Sequence, residues 1–359
     1  MLSKQDKRWS VWVLILLLVG LVGFGAIVVL IDPFFHYHAP IKGITCVLER
    51  DNERYQNDGI LAHFEYDTIM TGTSLTENFK TSECDKIFGG TSVKVPLAGG
   101  TYNEMNDQLE KAFLSDNEIK TVIRCLDREC LDYDKDRMME NFAFPTYLTN
   151  DNLFDDVSYV FNKAVMKQVV RNLVYTIKGY PSTTFDEYAN WMQYTHYGKE
   201  QILSTYTLEE KAETEKVFTE EDCIRTKENI RQNVTELIEA HPETTFYLFF
   251  PPYSICYWDK LVNNGELSYW LEAEKLAVEE LLQYPNIKLY SFANNYDVVC
   301  NFDNYCDTVH YGEWINTEML EYMAEGKYML TEENYKAYFE DMEKFYSTYD
   351  YSKLHEEDK

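Results

Sequence analysis

The chain has 359 residues, in which 61 Asp and Glu outnumber 33 Lys and Arg, giving a formal net charge of -28 at pH 7. Nucleic-acid binding draws its affinity from clustered basic residues, so this composition argues against DNA or RNA as a partner. The length permits one large domain, or two small ones, beside a membrane anchor.

The first segment is a long apolar run. No residue from Val11 to Ile31 is charged or strongly polar, and a helix there, rising ~1.5 Å per residue, crosses roughly 30 Å of hydrocarbon. Basic residues precede the run within residues 1–10, and Asp32 follows it. The positive-inside rule predicts a single-pass anchor in the cell membrane at 11–31, with the N-terminus cytosolic and the remainder outside. A cleaved signal peptide is the alternative, although this run exceeds a signal core of roughly 7–15 residues and lacks an Ala-x-Ala site.

The body of the protein is predicted at residues 59–330, after a juxtamembrane connector at 32–58 that contains Pro and Gly breaks. Strands, turns and helices alternate in its first part, at Thr68–Thr71, Leu75–Phe88, Ser92–Pro96, Tyr102–Leu114 and Ile119–Leu126. This alternation predicts an α/β fold with a doubly wound sheet, whose functional loops gather at the carboxyl ends of the strands.

A helix-rich block at about 130–220 interrupts the alternation. It is too long for one crossover, so we predict a helical insertion that covers the sheet. Its aromatic residues Trp191, Tyr194 and Tyr197 form either a substrate platform or part of a core. The alternating pattern then resumes at 220–240, Thr245–Phe250, Leu267–Gln283 and Ile287–Phe292, and residues 331–359 are predicted to be an amphipathic helix and tail.

The eight cysteines include no Cys-x-x-Cys pair and no accompanying His spacing. We therefore expect no metal site and no cofactor. Cys125 with Cys130, and Cys300 with Cys306, are candidate disulfides in an oxidising compartment. The alternative is that these cysteines are free and pack as small buried apolar residues.

A candidate nucleophile stands where the first strand ends. Ser74 follows Gly72-Thr73, and a strand-to-helix turn would present its hydroxyl. Far downstream, Asp307 precedes His310 by three positions. A histidine can take the serine proton during attack, and an aspartate can orient the imidazole. We therefore predict a catalytic site formed by Ser74, His310 and Asp307.

Negative charge that develops on a substrate oxygen needs hydrogen-bond donors. The backbone N–H groups of Ser74 and of Gly99 or Gly100 are candidates, because glycine lets the backbone approach a ligand closely. A purely structural role for the two glycines is the alternative.

These blocks, in this order, resemble those of the SGNH, or GDSL-like, hydrolase superfamily: Gly72-Thr73-Ser74, the glycine turn after the second strand, and Asp307-x-x-His310. With its anchor, the chain is similar to the membrane-bound bacterial branch that includes the D-alanyl transfer proteins of teichoic-acid modification and the alginate-acetylation proteins. The resemblance implies a flavodoxin-like three-layer α/β/α fold, a serine nucleophile, and acyl transfer or ester cleavage.

The chain departs from the superfamily pattern in two places. Gly-Thr-Ser stands in place of Gly-Asp-Ser. In the third block, where an asparagine side chain commonly donates to the oxyanion, the chain has Asp127. An ionised carboxylate cannot donate, so Asp127 serves elsewhere, stays protonated, or contacts substrate.

These features predict an extracytoplasmic serine-dependent acyltransferase or esterase. It would move an acyl group, expected to be acetyl, onto or off a cell-surface polysaccharide or teichoic-type polymer through an acyl-serine intermediate. A membrane partner that passes acyl groups across the bilayer is part of this prediction. The alternatives are a catalytically weak binding or scaffold protein of the same fold in envelope polymer modification, and a secreted esterase for small esters.

Overall fold

The computed structural model describes residues 4–139, 145, 148, 154–207 and 211–355. The helices are α1 (Lys4–Ile31), α2 (Glu53–His63), α3 (Thr81–Phe88), α4 (Tyr102–Phe113), α5 (Val157–Val160), α6 (Lys163–Lys178), α7 (Lys199–Thr205), α8 (Glu220–Ile230), α9 (Glu236–Ala240), α10 (Ile255–Asn263), α11 (Leu267–Leu281), α12 (Tyr296–Val299), α13 (Glu313–Glu325) and α14 (Tyr335–Thr348). The strands are β1 (Thr68–Gly72), β2 (Ser92–Pro96), β3 (Thr121–Cys125), β4 (Thr245–Phe250), β5 (Ile287–Ser291) and β6 (Met329–Leu330).

The chain divides into two compact units. The first is drawn from Met1–Phe64 and Phe144–Thr184, and the second from Glu65–Ala143 and Phe185–Lys359. Part of the block predicted as a helical insertion at about 130–220 belongs to the first unit, together with the N-terminal segment. The physical reason is a small apolar core in the first unit, made by Val28, Ile31, Phe34, Leu148, Tyr159, Val165 and Val169.

Helix α1 contains a 24-residue stretch, Arg8–Ile31, that is long and apolar enough to cross a membrane or to act as a signal sequence. The helix ends because Asp32 adopts a positive φ of 39°. The buried Asp32 carboxylate accepts hydrogen bonds from the N–H groups of His36, Tyr37 and His38 at 2.7 to 3.0 Å. It also accepts one from the Tyr159 hydroxyl at 2.7 Å. These bonds fix the chain leaving α1 to the segment that holds α5.

Helix α2 lies in the segment predicted to be an irregular connector, and it runs through the predicted start of the body at Gly59. Glycine in a helix interior ordinarily weakens the helix. Here a Cβ at Gly59 would stand 2.1 Å from the carbonyl oxygen of Phe34. The residue that resembles a helix break is therefore required by close packing.

The second unit contains a six-stranded sheet in the order β2-β1-β3-β4-β5-β6. The first five strands are parallel, and β6 pairs antiparallel with β5. Every residue of β1 and β2 is buried, as expected for parallel strands covered on both faces. The predicted α/β class is confirmed, whereas the three-layer SGNH-type arrangement stays a prediction.

The strand order positions a site. The order 2-1-3-4-5 is that of flavodoxin-like doubly wound sheets, in which ligands bind outside the carboxyl ends of the strands where the winding reverses, between β1 and β3. Thr71, near the end of β1, pairs with Arg124, near the end of β3. The chain segments that follow these two strands carry Ser74 and Asp127.

All eight cysteines are free thiols. The candidate bridges Cys125–Cys130 and Cys300–Cys306 are therefore absent. Burial raises the pKa of the Cys125 and Cys130 thiols well above the usual value. These two residues pack as small apolar side chains.

Candidate active site

Ser74 opens a short 3-10 helix, Ser74–Thr76, immediately after β1. Only glycine fits at the preceding bend, because a Cβ at Gly72 would stand 2.5 Å from the Thr76 methyl and 2.6 Å from the Cys125 Cβ. The N–H and hydroxyl groups of Thr76 both donate to the Thr73 carbonyl, at 3.0 and 2.8 Å. The turn that presents the serine is thus closed by its own neighbours.

The helix predicted from Leu75 begins instead at Thr81. A buried lysine accounts for the delay. The Lys94 ammonium, in the interior of β2, donates to the carbonyl oxygens of Glu77 and Phe79 at 2.6 and 2.8 Å. Because these carbonyls point at Lys94, residues 77–79 form a fixed non-helical connection behind the Ser74 turn.

The three residues predicted as the catalytic site lie in one hydrogen-bonded line. Ser74 Oγ is 2.8 Å from His310 Nε2, and His310 Nδ1 is 2.8 Å from Asp307 Oδ2. A carboxylate only accepts, so Nδ1 carries the proton toward Asp307 and Nε2 is left as the acceptor for the serine hydroxyl. This is the arrangement a histidine needs in order to take the serine proton.

Asp307 is held in place by the loop that it begins. Its second oxygen, Oδ1, accepts the N–H groups of Val309 and His310, both at 2.8 Å. Burial acts to raise the pKa of Asp307, but the hydrogen bonds that it accepts and its electrostatic attraction to His310 outweigh burial, so the pKa lies below its ordinary value. The carboxylate is therefore ionised at neutral pH and faces Nδ1–H as a negative charge.

Two backbone amides beside the serine have no hydrogen-bond partner among the described residues: those of Ser74 and Gly99. Gly99 adopts a left-handed φ of 61°, which glycine takes without strain. The N–H of Gly100 instead donates to the Leu97 carbonyl at 2.8 Å. Of the two glycines predicted as oxyanion donors, Gly99 has the available amide, and Gly100 closes the turn.

Asp127 lies beside the serine turn, where both of its oxygens accept hydroxyl groups. Thr73 Oγ1 donates at 3.0 Å and the Tyr253 hydroxyl donates at 2.5 Å. The Tyr253 hydroxyl also accepts the N–H of Arg128 at 3.2 Å. Of the three predicted roles for Asp127, this geometry favours a role other than oxyanion or substrate contact, because the carboxylate orients Thr73, the residue that precedes Ser74.

A small cavity of about 180 Å³ opens at the serine. Its lining includes Ser74, Gly99, Asp127, Tyr133, Tyr253 and His310. Burial raises the pKa of Tyr133 to about 12, so this lining residue keeps its hydroxyl proton at neutral pH. The cavity volume suits a short acyl group rather than a long chain.

A tryptophan supports the histidine from the other side. The rings of Trp191 and His310 meet edge to face, with centroids 5.2 Å apart and an interplanar angle of 85°. The indole N–H of Trp191 donates to the buried Glu77 carboxylate at 2.6 Å. The aromatic cluster is thus not one core: Trp191 is half-buried at the site, while Tyr194 is 82% exposed.

Sequence reasoning missed Thr73, Glu77 and Lys94 as site residues, and it named Trp191 only within an aromatic cluster that forms either a substrate platform or part of a core. A usable signal existed for Lys94 alone, because a lysine between two valines of a buried parallel strand requires specific partners. The contact of Trp191 with His310 depends on the path of the chain after residue 184, which no local pattern encodes.

Comparisons with known proteins add little to this geometry. No protein-family model matches the chain, and no curated protein matches it. A solved structure from Streptococcus pneumonia, described provisionally as a platelet activating factor, is similar at 10% identity. The match covers 77% of this chain and 91% of that chain, with a TM-score of 0.35. Likeness at this level carries no information about activity.

Proposed function

We propose that this protein is a serine-dependent acyltransferase or esterase, with Ser74 as nucleophile, His310 as general base and Asp307 as the residue that orients the base. One observation carries the proposal: the continuous line of 2.8 Å contacts from Ser74 through His310 to Asp307. The location of the line at the winding reversal of the sheet supports it further.

In the first half-reaction, Ser74 Oγ attacks the carbonyl carbon of an ester while His310 Nε2 takes the hydroxyl proton. The tetrahedral oxyanion accepts hydrogen bonds from the amides of Ser74 and Gly99. The C–O bond to the leaving alcohol then breaks, and His310 returns the proton to that alcohol. The product is acyl-Ser74 and a free hydroxyl.

In the second half-reaction, an acceptor hydroxyl or water attacks the acyl-serine and gives its proton to His310. Collapse of the second oxyanion releases the acylated acceptor, or the free acid, and returns the proton to Ser74. Asp307 stays ionised throughout and stabilises the imidazolium that forms twice in each cycle.

The proposed substrate is an O-acylated cell-surface polysaccharide or teichoic-type polymer, and we expect the acyl group to be acetyl. A second cavity, of about 320 Å³, supports a polymer acceptor, because it offers aromatic rings and hydrogen-bonding groups together, with a lining that includes Asn190, Tyr197, Glu313 and Trp314. Trp191, which contacts His310, directly follows Asn190 in the chain. This cavity fits a hydroxyl-rich unit better than an apolar one.

The proposed location is outside the membrane, with α1 retained as an uncleaved anchor. Its support is the length of α1 and the basic residues that precede it. A resemblance to the SGNH superfamily and its membrane-bound branch belongs to the same proposal, as does a membrane partner that delivers acyl groups.

The test is envelope acylation in cells that carry Ser74→Ala. The unaltered protein is expected to change the number of base-labile acyl groups on the envelope polymer. We expect Ser74→Ala to abolish this change, because it removes the nucleophile. Ser204→Ala, which removes an exposed serine in α7, is the matched control and should behave as the unaltered protein. The proposal would be contradicted if cells with Ser74→Ala had the same polymer acylation as cells with the unaltered protein. Tight glycan binding without turnover would favour a scaffold protein.

A further inference from the structure

Helix α6 exposes an apolar face. Met166, Val170, Val174 and Ile177 are 42%, 60%, 38% and 84% exposed. Their spacing of four, four and three residues places them on one side of the helix. The opposite side, which includes Val165 and Val169, is buried. An exposed row of four apolar side chains is costly in water and indicates that something covers it.

The buried side of α6 packs against the end of α1. Val165 and Val169 belong to the same apolar cluster as Val28 and Ile31. The turn before α6 makes the same contact, since the ring of Phe161 stacks on that of Phe24 with centroids 5.8 Å apart. Helix α6 is therefore attached to the last two turns of the helix that is able to span a membrane.

The length of α1 sets the depth of this contact. At ~1.5 Å per residue, the stretch Arg8–Ile31 exceeds the roughly 30 Å thickness of a hydrocarbon layer. Its final turns then lie near the boundary between hydrocarbon and headgroups. Ile27 and Leu30 in these turns are still 49% and 61% exposed, so lipid reaches α1 at the level where α6 is attached.

The charge of α6 also fits this boundary. Its sixteen residues include no acidic side chain and four basic ones, at Lys163, Lys167, Arg171 and Lys178, in a protein with a net charge of -28. Arg171 pairs with Glu49, so the lysines are the side chains considered for headgroup contact. Lysine stems lie along apolar surface while their ammonium groups reach the headgroups. A helix with an apolar side and a basic side is typical of one that lies in the plane of a membrane surface.

We propose that α6 is an in-plane membrane helix, whose row of Met166, Val170, Val174 and Ile177 inserts into the leaflet of the phospholipid bilayer that α1 spans. The proposal rests on α1 being retained as an anchor. It is independent of acyl chemistry, because none of these residues belongs to the proposed catalytic site. The first unit would then be held to the membrane by two helices.

The test is labelling of the full chain, in nanodiscs of phosphatidylcholine and phosphatidylglycerol, by a photoactivated diazirine carried on a lipid acyl chain. Peptide mapping should find label on α1 and on residues 163–178. Leu114, an apolar side chain that is 87% exposed in the second unit, is the internal control and should stay unlabelled. Val170→Glu combined with Ile177→Glu should lose the label on α6 and keep the label on α1.

The conservative pair Val170→Leu and Ile177→Leu should keep both labels, which separates insertion from folding. Label on α1 without label on α6 would overturn the proposal and leave the anchor standing. Absence of label from both helices would overturn the anchor and the proposal together. If α6 carries no lipid label but cross-links to α6 of a second copy of the chain, the apolar row is a protein interface, and this result would also overturn the proposal.

Discussion

The indole of Trp191 lies between a buried carboxylate and the imidazole of His310: its N–H donates to Glu77 at 2.6 Å, and its ring meets that of His310 at 85°. Trp191 N–H, from the backbone, also donates to the Asn78 side chain at 3.1 Å. The residues just after the Ser74 turn thereby position the ring that packs on the base. The nucleophile and the base share one support.

Trp191→Phe keeps an aromatic edge against His310 but removes the hydrogen bond to Glu77. We expect kcat for nitrophenyl acetate to fall by about 10-fold or more, because small misplacement of a reacting group is costly, with little change in KM. Steady-state kinetics measure both constants. Trp270→Phe, a half-buried tryptophan of α11, is the control, and an equal loss in that variant would mean that the effect is general destabilisation.

The substitution Asp127→Asn tests whether the Asp127 carboxylate orients Thr73 or repels the oxyanion. Both Asp127 oxygens already accept hydroxyl groups, from Thr73 and Tyr253, so we expect turnover to fall or stay level when one acceptor becomes an amide. The measurement is kcat/KM for a small ester. A several-fold gain in the variant would show instead that the negative charge opposes the oxyanion, and that an asparagine donor is what the site lacks.

Asp307 contributes stability to the folded protein that is lost on acidification. Its pKa is lower in the folded protein than its ordinary value, so the unfolded chain binds the proton more readily. The stabilisation is present above the ordinary pKa of about 4 and is lost as the pH falls through the lower, folded pKa. The difference in Tm between the unaltered protein and Asp307→Asn should therefore shrink as the pH falls below about 4. A difference that grows on acidification would contradict this assignment.

The buried pair Arg128–Glu274 fixes the chain after β3. Both side chains are at most 1% exposed, and Arg128 Nε donates to the Glu274 carboxylate at 2.9 Å. Glu274→Gln leaves the guanidinium without its counter-charge, so we expect a loss of about 3 to 5 kcal/mol in the free energy of unfolding. Urea titration measures it. Glu325→Gln, in the exposed pair with Lys327, should leave the free energy of unfolding nearly unchanged, and equal losses in the two variants would refute the distinction.

The sequence was sufficient to predict the parallel strands and to group three residues as a proposed catalytic site. Strands β2 and β4 begin and end where the apolar runs predict, because turn residues bound each run on both sides. Ser74 could be singled out because it follows the first strand, and Asp307 and His310 because they stand three positions apart before a predicted helix-like segment. The serine and the histidine are 236 positions apart in the chain. Their 2.8 Å spacing required the structure.

Other features could not be predicted, because they depend on contacts between distant segments. Gly59 resembles a break and lies inside α2, since the Phe34 carbonyl occupies the space of its missing Cβ. Residues 163–178 lie in the block predicted as a helical insertion, and no local pattern shows that Val165 and Val169 share an apolar cluster with Val28 and Ile31. Gly99 and Gly100 are equivalent in sequence, and the structure distinguishes them by the left-handed φ of Gly99 and by the bond from Gly100 to Leu97.

The most direct test of the central claim is covalent labelling by a fluorophosphonate, in which Ser74 Oγ attacks phosphorus and fluoride leaves. Intact-protein mass spectrometry should show one adduct, and peptide mapping should place it on Ser74. Ser74→Ala should carry no adduct, His310→Ala should react far more slowly because its serine lacks a base, and Ser204→Ala should react as the unaltered protein does. A folded, unaltered protein that forms no adduct, or an adduct that persists in Ser74→Ala, would contradict the assignment of Ser74 as the nucleophile.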